Sequence, residues 1–174
     1  MKQRLPIETE VKLRIPSVEA MEPMLRALGF REDVPAQEER SVLWDRDDEL
    51  FAKQAALRLR RYAGRALLTW KGRKTPDPLL KIRPEWETAV EDPEALEAIL
   101  AQLGYAPVLA MVKRRAVWSR DELTACLDET PFGSFLELEG EPAAIRLAME
   151  HLALDAGHVE PRSYPTLFRS ASGS

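Results

Sequence analysis

Charges fall at every second position in several short stretches of this chain, and that spacing limits its possible folds more than any other feature. In IETEVKLRI, residues 7–15, the charged positions are Glu8, Glu10 and Lys12, with Thr9, Val11 and Leu13 between them. A period of two is that of a β-strand, so the charges share one face and the apolar side chains the other. The spacing returns in Arg58-x-Arg60, Arg83-x-Glu85-x-Glu87, Lys113-x-Arg115 and Glu137-x-Glu139, with Lys71 ending one more strand. One such strand is ordinary for an antiparallel sheet with a wet face. The set as a whole demands a sheet with one strongly charged face and one apolar face that must be covered.

The rest of the chain supplies the cover. SVEAMEPMLRALGF (17–30), DPEALEAILAQLGY (92–105) and EPAAIRLAMEHLAL (141–154) carry apolar residues at helical spacing. Ser17 and Asp92 stand at cap positions, Pro93 in a first turn, and Gly29 and Gly104 at helix stops. Between the helices lie ERSVLWD, AALRLRRY, RALLTWKG, LLKIRPEWETAV, MVKRRAVWS, LTACLDET and SFLELEG, which read as strands of a largely antiparallel sheet. The loop GRKTPDPL, with two prolines, separates two of them and is expected to be mobile. A series of Glu-x-Glu, helix, Leu-Gly-aromatic, Arg and Trp occurs twice, over about 7–75 and 84–140, which suggests an internal duplication. The expectation is a single domain over 1–169, with 170–174 as a flexible tail.

Helices on the apolar face leave the charged face either as a solvated outer surface or as the inside of a closed barrel. Two features favour the inside. The charges come as same-sign pairs along each strand, a poor arrangement for an open surface. Many of them are arginines, whose planar forks suit phosphate oxygens. About eight strands leave room for one small ligand. Burying so many charges dry would cost several kcal/mol each, so the interior must be wet, paired or occupied by ions.

Composition excludes several classes. The net charge of -4 gives no basic field for nucleic acid. Cys126 is the single cysteine, flanked by Ala125 and Leu127, and reads as a packed thiol with no disulfide. The start, MKQRLPIETE, lacks the apolar core of a signal peptide, and no apolar run reaches a membrane span, so a cytoplasmic protein is expected. His151 and His158 are scattered and form no zinc set with one cysteine. There is neither a G-x-x-x-x-G-K-[ST] loop nor a Ser-His-Asp grouping, so side chains must grip any phosphate. The three Glu-x-Glu pairs are hard oxygen donors that suit Mg²⁺ or Mn²⁺.

With these residues assembled, the sequence resembles the CYTH superfamily, the triphosphate tunnel metalloenzymes that join class IV adenylate cyclases with thiamine triphosphatases. Glu8-Thr9-Glu10-Val11-Lys12 is similar to its E-x-E-x-K signature. ALRLR, LTWKG, IRPEWET, VKRRAVW, CLDETPFGSFLELEG and RSYPTLF resemble, in order, its later segments. The family often shows Tyr-Phe-Asp-Thr where this chain has Leu43-Trp44-Asp45-Arg46, and the basic residue near the closing Ser-Tyr is represented by Arg162.

The resemblance implies an α+β fold, a closed eight-stranded antiparallel β-barrel with helices packed outside, whose tunnel binds a triphosphate and divalent cations. It implies phosphate binding by Lys12, Arg58, Arg60 and Lys71, and by Arg83, Lys113 and Arg115. Mg²⁺ or Mn²⁺ would fall to Glu8, Glu10, Glu137 and Glu139, with Glu85, Glu87 and Asp128 contributing. Lys12, Glu10 and Glu139 are the expected catalytic residues. The expected reaction is hydrolysis of tripolyphosphate, thiamine triphosphate or a nucleoside triphosphate. Cyclisation of ATP is the alternative, since both need the same clamp. A non-catalytic polyphosphate or nucleotide binder is a third reading, against which the intact Glu-x-Glu pairs argue. The expected partner is this small molecule, with no nucleic acid and no membrane, in a monomer or a homodimer.

Overall fold

Two helices end in the same device. In α1 (Val18–Ala27) the Ser17 hydroxyl accepts from the Ala20 N–H, and in α3 (Pro93–Gln102) the Asp92 carboxylate accepts from the Ala95 N–H. At their other ends Gly29 and Gly104 adopt φ of 82° and 83°. This left-handed turn lets the Phe30 and Tyr105 N–H groups reach back to the Leu25 and Leu100 carbonyls. α4 (Pro142–His151) stops without a glycine, and Ala153 takes the left-handed conformation instead, at φ 54°.

The computed structural model describes residues 6–171. Eight strands hydrogen-bond in the cyclic order β1-β5-β4-β3-β2-β6-β7-β8, a closed barrel. They are β1 (Ile7–Ile15), β2 (Arg31–Asp45), β3 (Ala56–Tyr62), β4 (Arg65–Lys71), β5 (Lys81–Val90), β6 (Ala106–Arg120), β7 (Leu123–Thr130) and β8 (Gly133–Glu139). Exchanging β1–β4 with β5–β8 leaves the cyclic order unchanged. By internal contacts the chain forms two compact units, one of Glu8–Glu38, Pro76–Ile82 and Lys113 onward, the other containing Glu39–Thr75 and Arg83–Val112.

In the first, the β1–β8 unit, β1 pairs with β8 so that Val11 faces Leu138 and Leu13 faces Leu136. These side chains, with Leu127 and Trp118 from β7 and β6, pack against Met21 and Leu25 of α1 and Ile145 and Met149 of α4. Full burial of such side chains stabilises by about 1.5–3 kcal/mol each. The apolar face is thus the outer one, under the helices, and the charged face points inward. In the second, the β3–β4 unit, β3 and β4 turn at Ala63 and Gly64, both at positive φ, as a two-residue hairpin requires. There Leu59, Ala66 and Trp44 pack on Leu100 of α3, again outside.

Three expectations are corrected. β2 and β6 are 15 residues each. Their first halves escaped the strand reading because they are largely exposed and lack alternation, and Pro35 interrupts one of them. A short helix, α2 (Glu49–Ala52), follows Asp45, whose carboxylate accepts from the Arg46, Leu50 and Phe51 N–H groups. The closing segment folds as α5 (Tyr164–Ala171), so residues 170 and 171 of the expected tail are helical, with the Ser170 hydroxyl bonded to the Thr166 carbonyl. Burial of Leu167 holds this helix on the β1–β8 unit. Residues 172–174, and residues 1–5 of the start read as lacking a leader, lie outside the described residues. Among the described residues no helix is long and apolar enough to cross a membrane.

The segment before α5 is clipped to β1. Val159 bridges Leu13, the Glu160 N–H donates to the Lys12 carbonyl at 2.8 Å, and the Glu160 carboxylate accepts from Arg14 and Arg162. Arg162, against an opposing effect of burial and with help from Arg14, holds this carboxyl down to about 2 from 4.5. The folded value lies below the unfolded one, so the clip's contribution is present above pH 4.5 and is lost as pH falls toward 2. Glu160→Gln should therefore lower Tm at pH 7 by roughly 2–4 °C per kcal/mol lost. Thermal denaturation across pH should show the gap to wild type closing between pH 4.5 and 2. A gap that stays constant over that range would count against the clip.

Candidate active site

Within the β1–β8 unit, strand register decides which charges meet. Glu10 stands opposite Glu139 and Lys12 opposite Glu137 on β1 and β8, and Arg115 stands opposite Asp128 on β6 and β7. Opposed residues of an antiparallel pair point to the same face, here the inner one. Arg115 grips Asp128 with two bonds, Nε to Oδ1 at 2.7 Å and Nη2 to Oδ2 at 2.6 Å, and also reaches Glu137 at 2.5 Å. Lys113 Nζ donates to the same Asp128 Oδ2 at 3.0 Å. The Tyr164 hydroxyl donates to that oxygen as well. Asp128 is 0% exposed, so three donors from two further elements satisfy a carboxylate cut off from water.

Lys12 is 1% exposed. Its ammonium donates to the Arg162 carbonyl at 3.1 Å, lies 3.7 Å from Glu137, and sits 3.5 Å from the centre of the Tyr164 ring. Burial pulls its pKa down to about 7; Glu137 and Glu10 resist, and Lys81 and Lys113 add to the fall. For Glu137 the balance tips the other way. Burial pushes it up, but Arg115, Lys12, Lys113 and Lys81 together hold it well below the usual carboxylate range. Tyr164 is pushed well above 10 by burial and by Asp128 and Glu137, and therefore stays a neutral O–H donor. Cys126 on β7, opposite Glu137, is intermediate in exposure rather than fully packed, and desolvation raises its thiol to about 12.

The β3–β4 unit carries its own charged face. The β4–β5 register sets Thr69 beside Glu87 and Lys71 beside Glu85. Arg60 reaches Glu87 at 3.1 Å, the Thr69 hydroxyl donates to Glu87 at 2.7 Å, and Lys71 meets Glu85 at 2.5 Å. Arg58 lies 4.0 Å from Glu87, and its buried Nε has no hydrogen-bond partner among the described residues. Arg83 shares the β5 face with Glu85 and Glu87, at the same period of two.

Register and packing thus bring Glu10, Lys12, Lys113, Arg115, Asp128 and Glu137 together in one unit. Arg58, Arg60, Lys71, Glu85 and Glu87 come together in the other. Glu8 and Glu139 extend the first face toward one end of β1 and β8. Three participants were missed in the sequence. Lys81 pairs with Glu10 at 3.4 Å, and it precedes Arg83 by two, a signal that the alternation already contained. Glu39 is buried near Arg60 and bonded to Ser41, two positions on. Tyr164 stands in the closing Ser-Tyr that the resemblance noted, but no alternation marks its role, because it enters from a helix rather than a strand.

The carboxylates fit a hard divalent cation in one specific sense. Among the described residues no three carboxylate, histidine or cysteine side chains are grouped as a cage. Mg²⁺ does not ask for one, since it keeps waters and takes one or two carboxylates beside substrate phosphates. The opposed Glu10 and Glu139 supply such a pair.

Comparison with known proteins agrees with this geometry. The CYTH domain model matches residues 6–164. A Methanocaldococcus jannaschii protein provisionally named an adenylate cyclase is 31% identical over 135 residues, 76% of each chain. A solved Vibrio parahaemolyticus structure, provisionally titled an adenylate cyclase, superposes with a TM-score of 0.81 at 20% identity, covering 95% of this chain and 99% of that one. A Hippeastrum protein, whose structure is described as revealing a dominant triphosphatase activity, gives 0.70 at 21% identity, covering 94% and 96%. The two structures share the fold at these identities. With the family model spanning nearly its whole length, this chain belongs to the CYTH domain family.

Proposed function

We propose that this protein is a divalent-metal-dependent enzyme that hydrolyses the terminal phosphoanhydride of a triphosphate. The observation that carries the reading is the concentration of four buried cationic side chains, Lys12, Lys81, Lys113 and Arg115, on one inner face. Burial disfavours a charged ammonium, as at Lys12, and an anion bound beside it offsets that cost. A phosphate chain does so with charge-assisted bonds. A phosphate beside Lys12 favours its ammonium form, reversing the effect of burial.

In this reading Lys12, Lys113 and Arg115 hold phosphate oxygens in the β1–β8 unit, and Arg58, Arg60, Lys71 and Arg83 take the same role in the β3–β4 unit. Water attacks the terminal phosphorus, a new P–O bond forms, and the anhydride oxygen leaves with the remaining diphosphate. Catalysis is positioning and electrostatics, because the charge on the transferring group is stabilised by donors already in place. Glu10 and Glu139, with Glu8 and Glu137 on the same strands, would hold Mg²⁺ or Mn²⁺, which would supply further neutralisation of the phosphate oxygens, and Glu85 and Glu87 are the carboxylates of the β3–β4 unit available to the same role. Asp128 is assigned to positioning Lys113 and Arg115 rather than to the metal, since its oxygens are already engaged.

A second reading draws on the M. jannaschii relative, which is provisionally named an adenylate cyclase. There the ribose 3′-hydroxyl attacks the α-phosphorus of ATP and pyrophosphate leaves. The same clamp serves both reactions. The triphosphatase activity reported for the Hippeastrum protein of this fold supports placing hydrolysis first.

The deciding measurement is a panel of tripolyphosphate, thiamine triphosphate and ATP, each with Mg²⁺ or Mn²⁺, with products identified. Orthophosphate release that stops on chelation is expected. Cyclic AMP with pyrophosphate would transfer the assignment to the cyclase, and turnover of none would end both. Arg58→Ala should lower kcat/KM by about 10–100-fold, the cost of one or two charge-assisted bonds, with little change in Tm. Glu10→Gln should raise the metal concentration giving half-maximal rate, and an unaltered metal titration would remove Glu10 from the ligand set.

A further inference from the structure

Tyr164 joins three of the candidate phosphate-binding side chains, yet it lies on a helix outside the strands that carry them. Its ring covers the Lys12 ammonium at 3.5 Å and the Lys113 ammonium at 4.0 Å from the centroid. Its hydroxyl donates to Asp128 Oδ2, the oxygen that also receives Lys113 and Arg115. We propose that Tyr164 is a positioning residue, which orients Lys12, Lys113 and Arg115 for a phosphate chain while leaving their charge available to it. The inference rests on the triphosphate reading above.

The physical case turns on what else could occupy the position. Two ammoniums against one aromatic ring repel each other and need compensation in a dry site. A carboxylate there would neutralise them and compete with the substrate phosphate. An aromatic face attracts a desolvated cation and carries no net charge. The phenol also fixes Asp128 through a bond that leaves this carboxylate's hold on Arg115 bidentate. α5 is itself held by aromatic edges, Phe168 on Phe132 at 5.0 Å and Tyr164 on Phe135 at 5.7 Å between centroids. The main chain just before α5 receives the Lys12 Nζ bond at the Arg162 carbonyl. Tyr164 therefore enters the site on an anchored element.

The experiment compares Tyr164→Phe, Tyr164→Leu and Phe168→Ala with wild type, in steady-state kinetics on tripolyphosphate with Mg²⁺ and in thermal denaturation. Tyr164→Phe keeps the ring and loses the hydroxyl, so KM should rise about 3–10-fold with kcat within two-fold. Tyr164→Leu also loses the ring, and its kcat/KM should fall about ten-fold below that of Tyr164→Phe. Phe168→Ala loosens α5 while keeping the ring and hydroxyl of Tyr164, so it should lower Tm while KM stays within two-fold of wild type. Wild-type KM in Tyr164→Leu would overturn the inference, as would a KM in Phe168→Ala equal to that of Tyr164→Leu, which would make helix anchoring the cause. Absence of turnover in the wild type on every triphosphate would instead refute the functional reading.

Discussion

The constraint on which the structure depends is the desolvation of charge on the inner face of the barrel. Lys12, Asp128, Lys113 and Arg115 are all nearly inaccessible to water, and a lone ion in such a place is untenable. The fold meets the constraint by distributing partners. Asp128 binds two cations and a phenol, Glu137 binds Arg115 and lies near Lys12, and Glu10 pairs with Lys81. The compensation is incomplete for Lys12, whose pKa falls to about 7. That incomplete compensation underlies the proposal that a phosphate anion binds here.

The same constraint explains why the outer layer is so regular. Helices α1, α3 and α4 each begin at an acidic or hydroxyl cap and lay an apolar stripe on the strands. Their packing fills the outer apolar face with Leu, Ile, Met and Trp, so the inner face is the one left to polar chemistry. Side chains on the two faces are separated only by the strand backbone, and a one-residue slip in register would exchange them. The pairing of Val11 with Leu138 outside thus fixes the pairing of Lys12 with Glu137 inside. Stability and site geometry are set by one register.

Much of this was legible in the chain itself. Period-two charges mark Glu8, Glu10 and Lys12 as one face whatever the fold, and Ser17, Asp92, Gly29 and Gly104 mark helix ends through local backbone chemistry. Resemblance in seven ordered segments pointed to the family that the domain match shows. Elements escaped where local signals were weak. The first half of β2 is exposed and contains Pro35, α2 has four residues, and α5 begins beside a proline in a segment read partly as a tail. Lys81 was available to the same alternation that identified Arg83. Tyr164 was not, because a helical residue that points into a barrel shares no period with the strands.

Sequence alone determined the faces: which side chains lie together on each strand, where helices start and stop, and that like charges recur as pairs at strand spacing. It did so because these properties depend on neighbours within a few residues. Only the tertiary structure decided that the charged face is the inner one, that Asp128 serves Lys113 and Arg115, and that Tyr164 covers Lys12. Those outcomes join β1, β6, β7 and α5 across more than a hundred residues of chain, and only strand register and helix packing bring such distant groups within hydrogen-bonding reach.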